Sequence, residues 1–252
     1  MAIPGGSRSA LVTGGGRGLG RLVATALLDD GWAVIVTGRD PASLATVDGA
    51  TAVAGDTTDP AHVLAALAAG VPDLLVLNAG ALSTGGVLWD SDPEAWWRDV
   101  EVNLRGPALW LHAALPAMVA RGHGRVLLVG SGLGQEPVSG ASAYSVSKTA
   151  AERLVEGVAL ELDGTGVTLV TASPGLVQTD MTDAFPAGYL ALHPEMASLP
   201  RRDPALFTAL VLQFGRGQLD ALHGRFVHVT TDLPTALETT SPAGTLRLLP
   251  YA

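Results

Sequence analysis

Apolar runs of strand length alternate with segments of helical period along this chain. Residues 10–13, 33–37, 51–54, 74–77, 126–129, 167–171 and 226–229 are short, rich in Val and Leu, and read as buried strands. Between them, helical spacing of apolar positions runs over 19–29, 60–69, 93–103, 108–120, 143–162 and 204–214. Buried strands alternating with helices predict an α/β fold, a single doubly wound domain over 1–252 with about seven parallel strands and helices on both faces. Gly31 and Gly164 stand where helices should stop, and Pro60, Pro93 and Pro204 stand near where they should start. The least regular stretch is 182–203, with Pro186, Gly188, Pro194 and Pro200 among Phe185, Tyr189, Leu190, Leu192 and Met196. Long aperiodic segments are functional or disordered, and the apolar content here favours a lid over a substrate.

Composition narrows the partners. Hydrophobic residues make up 48% of the chain and charged residues 15%, which fits a compact fold with a sizeable core. Twenty-four acidic residues against 15 basic ones, scattered rather than clustered, give a net charge of -9 and argue against nucleic acid or an anionic membrane as partner. The absence of cysteine excludes disulfides, thiolate metal sites and cysteine nucleophiles, and the histidines show no metal spacing. No signal-peptide pattern opens the chain, and no run reaches the roughly 18–20 apolar residues of a membrane span, so a cytoplasmic protein is expected.

Three features carry chemistry. Tyr144 and Lys148 stand four apart in a helical segment, so phenol and ammonium share a face, and the cation is expected to favour ionisation of the phenol. Alone, such a pair also fits a solvated helix face, but Ser131 at the end of an apolar strand points to one pocket. The run Thr13-Gly14-Gly15-Gly16-Arg17-Gly18-Leu19-Gly20 joins the first strand to the first helix, where glycines let backbone amides approach a pyrophosphate. Its spacing is Gly-x-x-x-Gly-x-Gly, and by itself it also fits a tight strand-helix turn.

Taken with these, Asn78-Ala79-Gly80, Asn103, Pro174-Gly175 and Thr179-Asp180-Met181 fall in the order and spacing of a known family. The chain resembles the short-chain dehydrogenase/reductase family, Rossmann-type oxidoreductases, from about residue 9 to 181. The resemblance implies that Tyr144 protonates the substrate oxygen in reduction and that Lys148 lowers the Tyr144 pKa and holds the nicotinamide ribose. It implies that Ser131 hydrogen-bonds the substrate oxygen and that Asn103 supports Lys148 through water. By the same resemblance Thr13, Gly14, Gly18, Leu19, Gly20, Asn78, Ala79, Gly80, Pro174, Gly175, Val177 and Thr179 bind the cofactor, as do Asp56 and Thr57 at the adenine. An Asp56 that merely caps its loop is the alternative.

Cofactor choice turns on the end of the second strand. The acid that would select NAD aligns with Gly38, whereas Arg39 beside it and Arg17 in the turn offer guanidinium groups to the 2'-phosphate of NADP. NADP(H) is the expectation; the alternative leaves both arginines solvated, with Asp40 on the ribose. The expected activity is hydride transfer between NADP(H) and a small-molecule carbonyl or secondary alcohol of apolar character. A non-catalytic dinucleotide-binding regulator and an epimerase or dehydratase are the competing readings. The family resemblance implies a homodimer or homotetramer, and the Ala- and Leu-rich segments 105–121 and 143–162 suit a dimer or, equally, ordinary core against the sheet. After the last strand the sequence departs from the family pattern, which weakens the tetramer expectation. Trp96 and Trp97 read as core anchors, and His193 is the histidine placed in the lid.

Overall fold

The computed structural model describes residues 8–68 and 70–238. All seven predicted strands form: β1 (Ser9–Thr13), β2 (Ala33–Gly38), β3 (Thr51–Ala54), β4 (Leu74–Leu77), β5 (Gly124–Val129), β6 (Val167–Ser173) and β7 (Phe226–His228). They make one parallel sheet in the order β3-β2-β1-β4-β5-β6-β7. The inner strands β1 and β4 are buried at every position, as coverage on both faces requires, while the edge strand β3 alternates between half-buried and exposed positions. The longer helices are α1 (Gly18–Asp29), α3 (Pro60–Leu67), α4 (Pro93–Val100), α5 (Gly106–Arg121), α6 (Ser142–Glu161) and α9 (Pro204–Gly215). Among the described residues, no helix is long and apolar enough to cross a membrane.

Successive residues of a strand point to opposite faces, and β1 uses this to feed two cores. Ala10 and Val12 pack with Val23 and Leu27 of α1 and with Phe207 and Phe214 of α9. Leu11 faces the other side, with Trp110 and Met118 of α5 and Val155 of α6. Fully burying one such side chain contributes about 1.5–3 kcal/mol, so the pair of cores dominates the stability of the sheet. Trp97 departs from expectation: it is 59% exposed and stacks edge-on against Trp96, whose indole donates to Ser142 Oγ at 2.9 Å. At positions 93–100 the helix presents only one stripe inward, and Asp99 and Val100 occupy it.

Four short helices escape the hydrophobic period: α2 (Pro41–Leu44), α7 (Asp180–Asp183), α8 (Ala187–Leu192) and α10 (Leu233–Glu238). Elements of four to six residues are too short to show an amphipathic period, and side-chain caps mark two of them. Asp40 caps α2, and Thr179 and Thr182 form a reciprocal capping box at α7. The helix predicted to end at Asn103 leaves α-geometry after Val100, and Glu101–Arg105 forms a π-helical turn. The predicted helix end at Ala69 and the C-terminal segment 239–252 lie outside the described residues.

Candidate active site

The strand order reverses between β1 and β4, so their C-terminal ends diverge and open a crevice, the usual ligand position in an open α/β sheet. A cleft of about 1110 Å³ occupies it. Its floor is the glycine turn: Gly14, Arg17, Gly18, Leu19 and Gly20 face the cleft, with Asn78 and Gly80 beside them. Gly14 and Gly18 hold φ of 64° and 50°, the left-handed region that glycine enters without strain. Gly20 leaves no room for a side chain, because a Cβ there would stand 2.3 Å from the Gly14 carbonyl oxygen.

Thr13 and Asn78 brace the turn from behind. Asn78 Nδ2 donates to the carbonyls of Thr13 and Gly14 at 2.9 and 3.2 Å. Thr13 Oγ1 in return accepts from the Asn78 and Ala79 amides, both at 3.0 Å. Thr13 and Ala79 therefore act behind the cleft wall rather than on it. No side chain caps the N-terminus of α1, so its first amides remain available to an anion. The Cβ-free cradle together with these open amides fits the pyrophosphate of a dinucleotide.

The same cleft is lined by Ser131, Tyr144 and Lys148 with Pro174, Gly175, Val177 and Thr179, the last beside Gly18 of the turn. Ser131 follows the end of β5 and caps a single 3-10 turn, accepting from Leu133 N at 3.2 Å. The helical spacing of α6 brings Tyr144 and Lys148 together there, with Lys148 Nζ 5.5 Å from the centroid of the Tyr144 ring. The ammonium of buried Lys148 donates to the Val129 carbonyl at 2.8 Å.

The electrostatics correct one expectation. The Tyr144 phenol is pushed up to about 12 by burial, against the ionising pull of the Ser131 hydroxyl and with help from the Glu152 charge. Lys148, turned to the Val129 carbonyl, does not offset that desolvation, and its own pKa falls to about 8 through burial, with Glu152 acting in the opposite direction. Glu152, one turn beyond Lys148 and 4% exposed, is a residue of this region that the motifs do not single out. Its signal in the sequence is an acid that continues the face of Tyr144 and Lys148 at the next i+4 step.

Asn103 sits in the π-helical turn, a distortion common at functional positions. Its Oδ1 accepts from Ala81 N at 2.8 Å, and its Nδ2 donates to Ala81 O at 2.8 Å and to Ser147 Oγ at 3.0 Å. It thus ties the segment after β4 to α6 at the residue preceding Lys148. Asp99, a second buried acid of this region, accepts from the amides and hydroxyls of Ser83 and Thr84 and fixes the loop beyond Gly80.

At the end of β2, Asp40 spends its carboxylate on the amides of Ala42 and Ser43 and on the Ser43 hydroxyl. Gly38 offers no side chain, and Arg39 lies close enough to Asp56 to help lower its pKa, after the Thr58 hydrogen bonds that oppose desolvation. Asp56 Oδ1 accepts from Thr58 N and Oγ1 at 2.8 and 2.7 Å, and Thr57 Oγ1 accepts from the Trp110 indole at 2.9 Å. Arg39, Asp56 and Thr57 are not among the residues lining the main cleft.

The 182–203 stretch packs over the cleft. Phe185, Tyr189 and Met196 join Leu82, Val138 and Met181 in an apolar cluster that includes the Tyr144 ring. Leu192 does not belong to it: the side chain is 42% exposed and faces a small outer depression. His193 pins the stretch instead, its Nε2 2.9 Å from the Ser139 carbonyl oxygen.

The short chain dehydrogenase family model matches residues 8–189. A short chain dehydrogenase of Pseudocercospora fijiensis is 32% identical over 266 residues, covering 94% of this chain and 84% of its own. The crystal structure of an oxidoreductase of the short chain dehydrogenase/reductase family from Burkholderia thailandensis superposes with a TM-score of 0.79 at 27% identity, covering 91% of this chain and 93% of that one. The closed form of a serine dehydrogenase complexed with NADP+ superposes with a TM-score of 0.74 at 26% identity, covering 81% and 87%. With seven strands in this order and a match through most of its length, the chain belongs to the short-chain dehydrogenase/reductase family of oxidoreductases.

Proposed function

We propose that this protein is an NADP(H)-dependent oxidoreductase that interconverts a carbonyl and a secondary alcohol, with Tyr144 as acid and base. The observation that carries the reading is the convergence of Ser131, Tyr144 and Lys148 on the cleft that the glycine turn also lines. A bound nicotinamide supplies the hydride in reduction and takes it in oxidation. The Ser131 hydroxyl orients the substrate oxygen, and the Tyr144 phenol gives that oxygen its proton as the carbonyl becomes an alcohol. A phenol pushed up to about 12 carries its proton across the neutral range, although general-acid transfer favours a pKa nearer the working pH. Lys148 holds the nicotinamide ribose, and Asn103 fixes the backbone beside it. The apolar cluster of Phe185, Tyr189 and Met196 supports a substrate of moderate size and apolar character, with 182–203 as its cover within a single domain.

Two features support NADP(H) over NAD(H). Asp40 at the end of β2 is committed to capping α2, whereas Arg17 lines the cleft and Arg39 follows Gly38, where no acid stands. The serine dehydrogenase to which the chain is similar was captured with NADP+. The test is consumption of NADPH and NADH by the purified protein against ketones, aldehydes and quinones, with Tyr144→Phe and Arg39→Ala beside it. Faster turnover with NADPH is expected, with a loss of about 10²-fold or more in the Phe variant. Equal use of both cofactors that Arg39→Ala leaves unchanged refutes the NADP(H) assignment, and full activity in Tyr144→Phe refutes the role of Tyr144.

A further inference from the structure

Lys148 is the only lysine in the chain; the rest of the 15 Lys and Arg side chains are arginines. It is also buried, which places an ammonium in surroundings that disfavour charge. One turn further along α6, on the same face, stands the buried carboxylate of Glu152.

That carboxylate is held in a built niche. Oε1 accepts from the backbone N–H of Ser131 at 3.3 Å, and Oε2 accepts from Gln135 Nε2. Gly134 and Gly130 make the space: a Cβ on Gly134 would stand 2.8 Å from Oε1, and one on Gly130 would stand 3.1 Å from it. Among the described residues, the charged groups acting on Glu152 are Lys148 and Glu156 of the same helix, the latter paired with Arg153, and Glu152 in turn acts on the Tyr144 phenol. The strand and loop packed against the niche present Ser131, Gln135 and Thr171, all uncharged.

We propose that Glu152 is a positioning residue of this site, a buried counter-charge anchored by the Ser131 loop that keeps the Lys148 amine in its cationic form. The proposal rests on the oxidoreductase reading above for its consequence in turnover, though not for its test. Burial drives Lys148 toward neutrality, and Glu152 opposes this from a fixed place. The hydrogen bond to Ser131 links that charge to the segment carrying the substrate-facing hydroxyl. Glu152 itself is raised to about 7 by burial, so its charge develops near neutral pH, and Lys148 responds to it as one member of a coupled pair.

A single lysine makes the test direct. Protein labelled with ¹³C at lysine Cε gives one side-chain resonance, whose shift is followed from pH 5 to 11 without any substrate. In the wild type the curve is expected to show two inflections, one belonging to Lys148 and one to Glu152. In Glu152→Gln, which keeps an acceptor for Ser131 N–H, the lower inflection should vanish and the Lys148 midpoint should fall by about one pH unit or more. A wild-type curve with a single inflection overturns the proposal, whether or not the variant folds. So does a Lys148 midpoint that coincides in the two proteins. NADPH oxidation with 9,10-phenanthrenequinone is measured on the same samples. Absence of turnover in the presence of the two-step Lys148 curve counts against the oxidoreductase reading and leaves the counter-charge standing.

Discussion

Arg17 of the glycine turn and Asp180 at the start of α7 face each other across the mouth of the cleft, Nη1 and Oδ2 3.6 Å apart. Both side chains are more than 60% exposed. An ion pair this open to water contributes about 1 kcal/mol at most, so Arg17 is readily surrendered to a phosphate. Asp180 then competes with the cofactor's phosphate for Arg17. Replacing Asp180 with Asn is expected to tighten NADPH binding about two- to fivefold at low ionic strength, with the gain fading as salt screens the site. Fluorescence titration at two salt concentrations checks this, and an affinity that does not move removes Arg17 from the set of phosphate contacts.

Two glycine-to-alanine changes should act in opposite directions. At Gly20 the added methyl would meet the Gly14 carbonyl at 2.3 Å and the Asn78 amide nitrogen at 2.4 Å, both part of the brace under the turn. Gly20→Ala is expected to cost about 1–3 kcal/mol of stability and to abolish most NADPH binding. Gly157 lies inside α6, and among the described residues nothing beyond its own helical backbone stands within 4 Å of the place a Cβ would take. There the substitution removes only unfolded-chain freedom, and a gain of about 0.4–1 kcal/mol is expected without change in cofactor affinity. Thermal melts with and without NADPH separate the two outcomes.

The burial of Lys148 sets a pH signature for stability. Its folded pKa, about 8, lies below the ordinary lysine value of 10.5. The unfolded chain therefore binds the proton more tightly, and the contribution of this group is fully present above 10.5 and lost as pH falls through 8. Relative to Lys148→Met, the wild type should gain on the order of 3 kcal/mol as pH rises across that window. Urea denaturation of both proteins at pH 7.5 and about pH 10 measures the difference, and parallel pH profiles would contradict the buried cation.

Much of this architecture is legible in the sequence because its signals are local. The strands announce themselves as apolar runs, and the Tyr144–Lys148 step is a property of helical geometry alone. What escapes depends on distant groups. Whether the Tyr144 phenol rises or falls is decided by burial and by Glu152 against Ser131, which periodicity cannot weigh. The exposed side of Trp97 follows from how α4 lies on its neighbours, and the outward turn of Leu192 from the docking of α8. Asp40 illustrates a third kind of limit: its cap role depends on a helix of four residues, too short for a hydrophobic period to reveal.

That docking of α8 supplies a handle on the substrate side of the cleft. Gly188 lies so close to the preceding loop that a Cβ would stand 2.4 Å from the Gly85 carbonyl oxygen, and a Cβ on Gly85 would stand 2.6 Å from Pro186 Cβ. The helix is therefore seated backbone against backbone, and Tyr189, next in sequence, is carried into the apolar cluster with Phe185 and the Tyr144 ring. Gly188→Ala must lift α8 away from this seat. The glycine turn and its brace lie on other elements, so NADPH affinity should remain at its wild-type value. The wall formed by Phe185, Tyr189 and Met196 should loosen, raising KM for an apolar ketone about tenfold, equivalent to about 1.4 kcal/mol of lost binding, with a smaller change in kcat. Steady-state kinetics with a turned-over ketone, alongside NADPH titration, decides the matter. An unchanged KM would mean that the segment 182–203 contributes no binding surface, whereas a parallel loss of NADPH affinity would mean that α8 supports the cofactor instead.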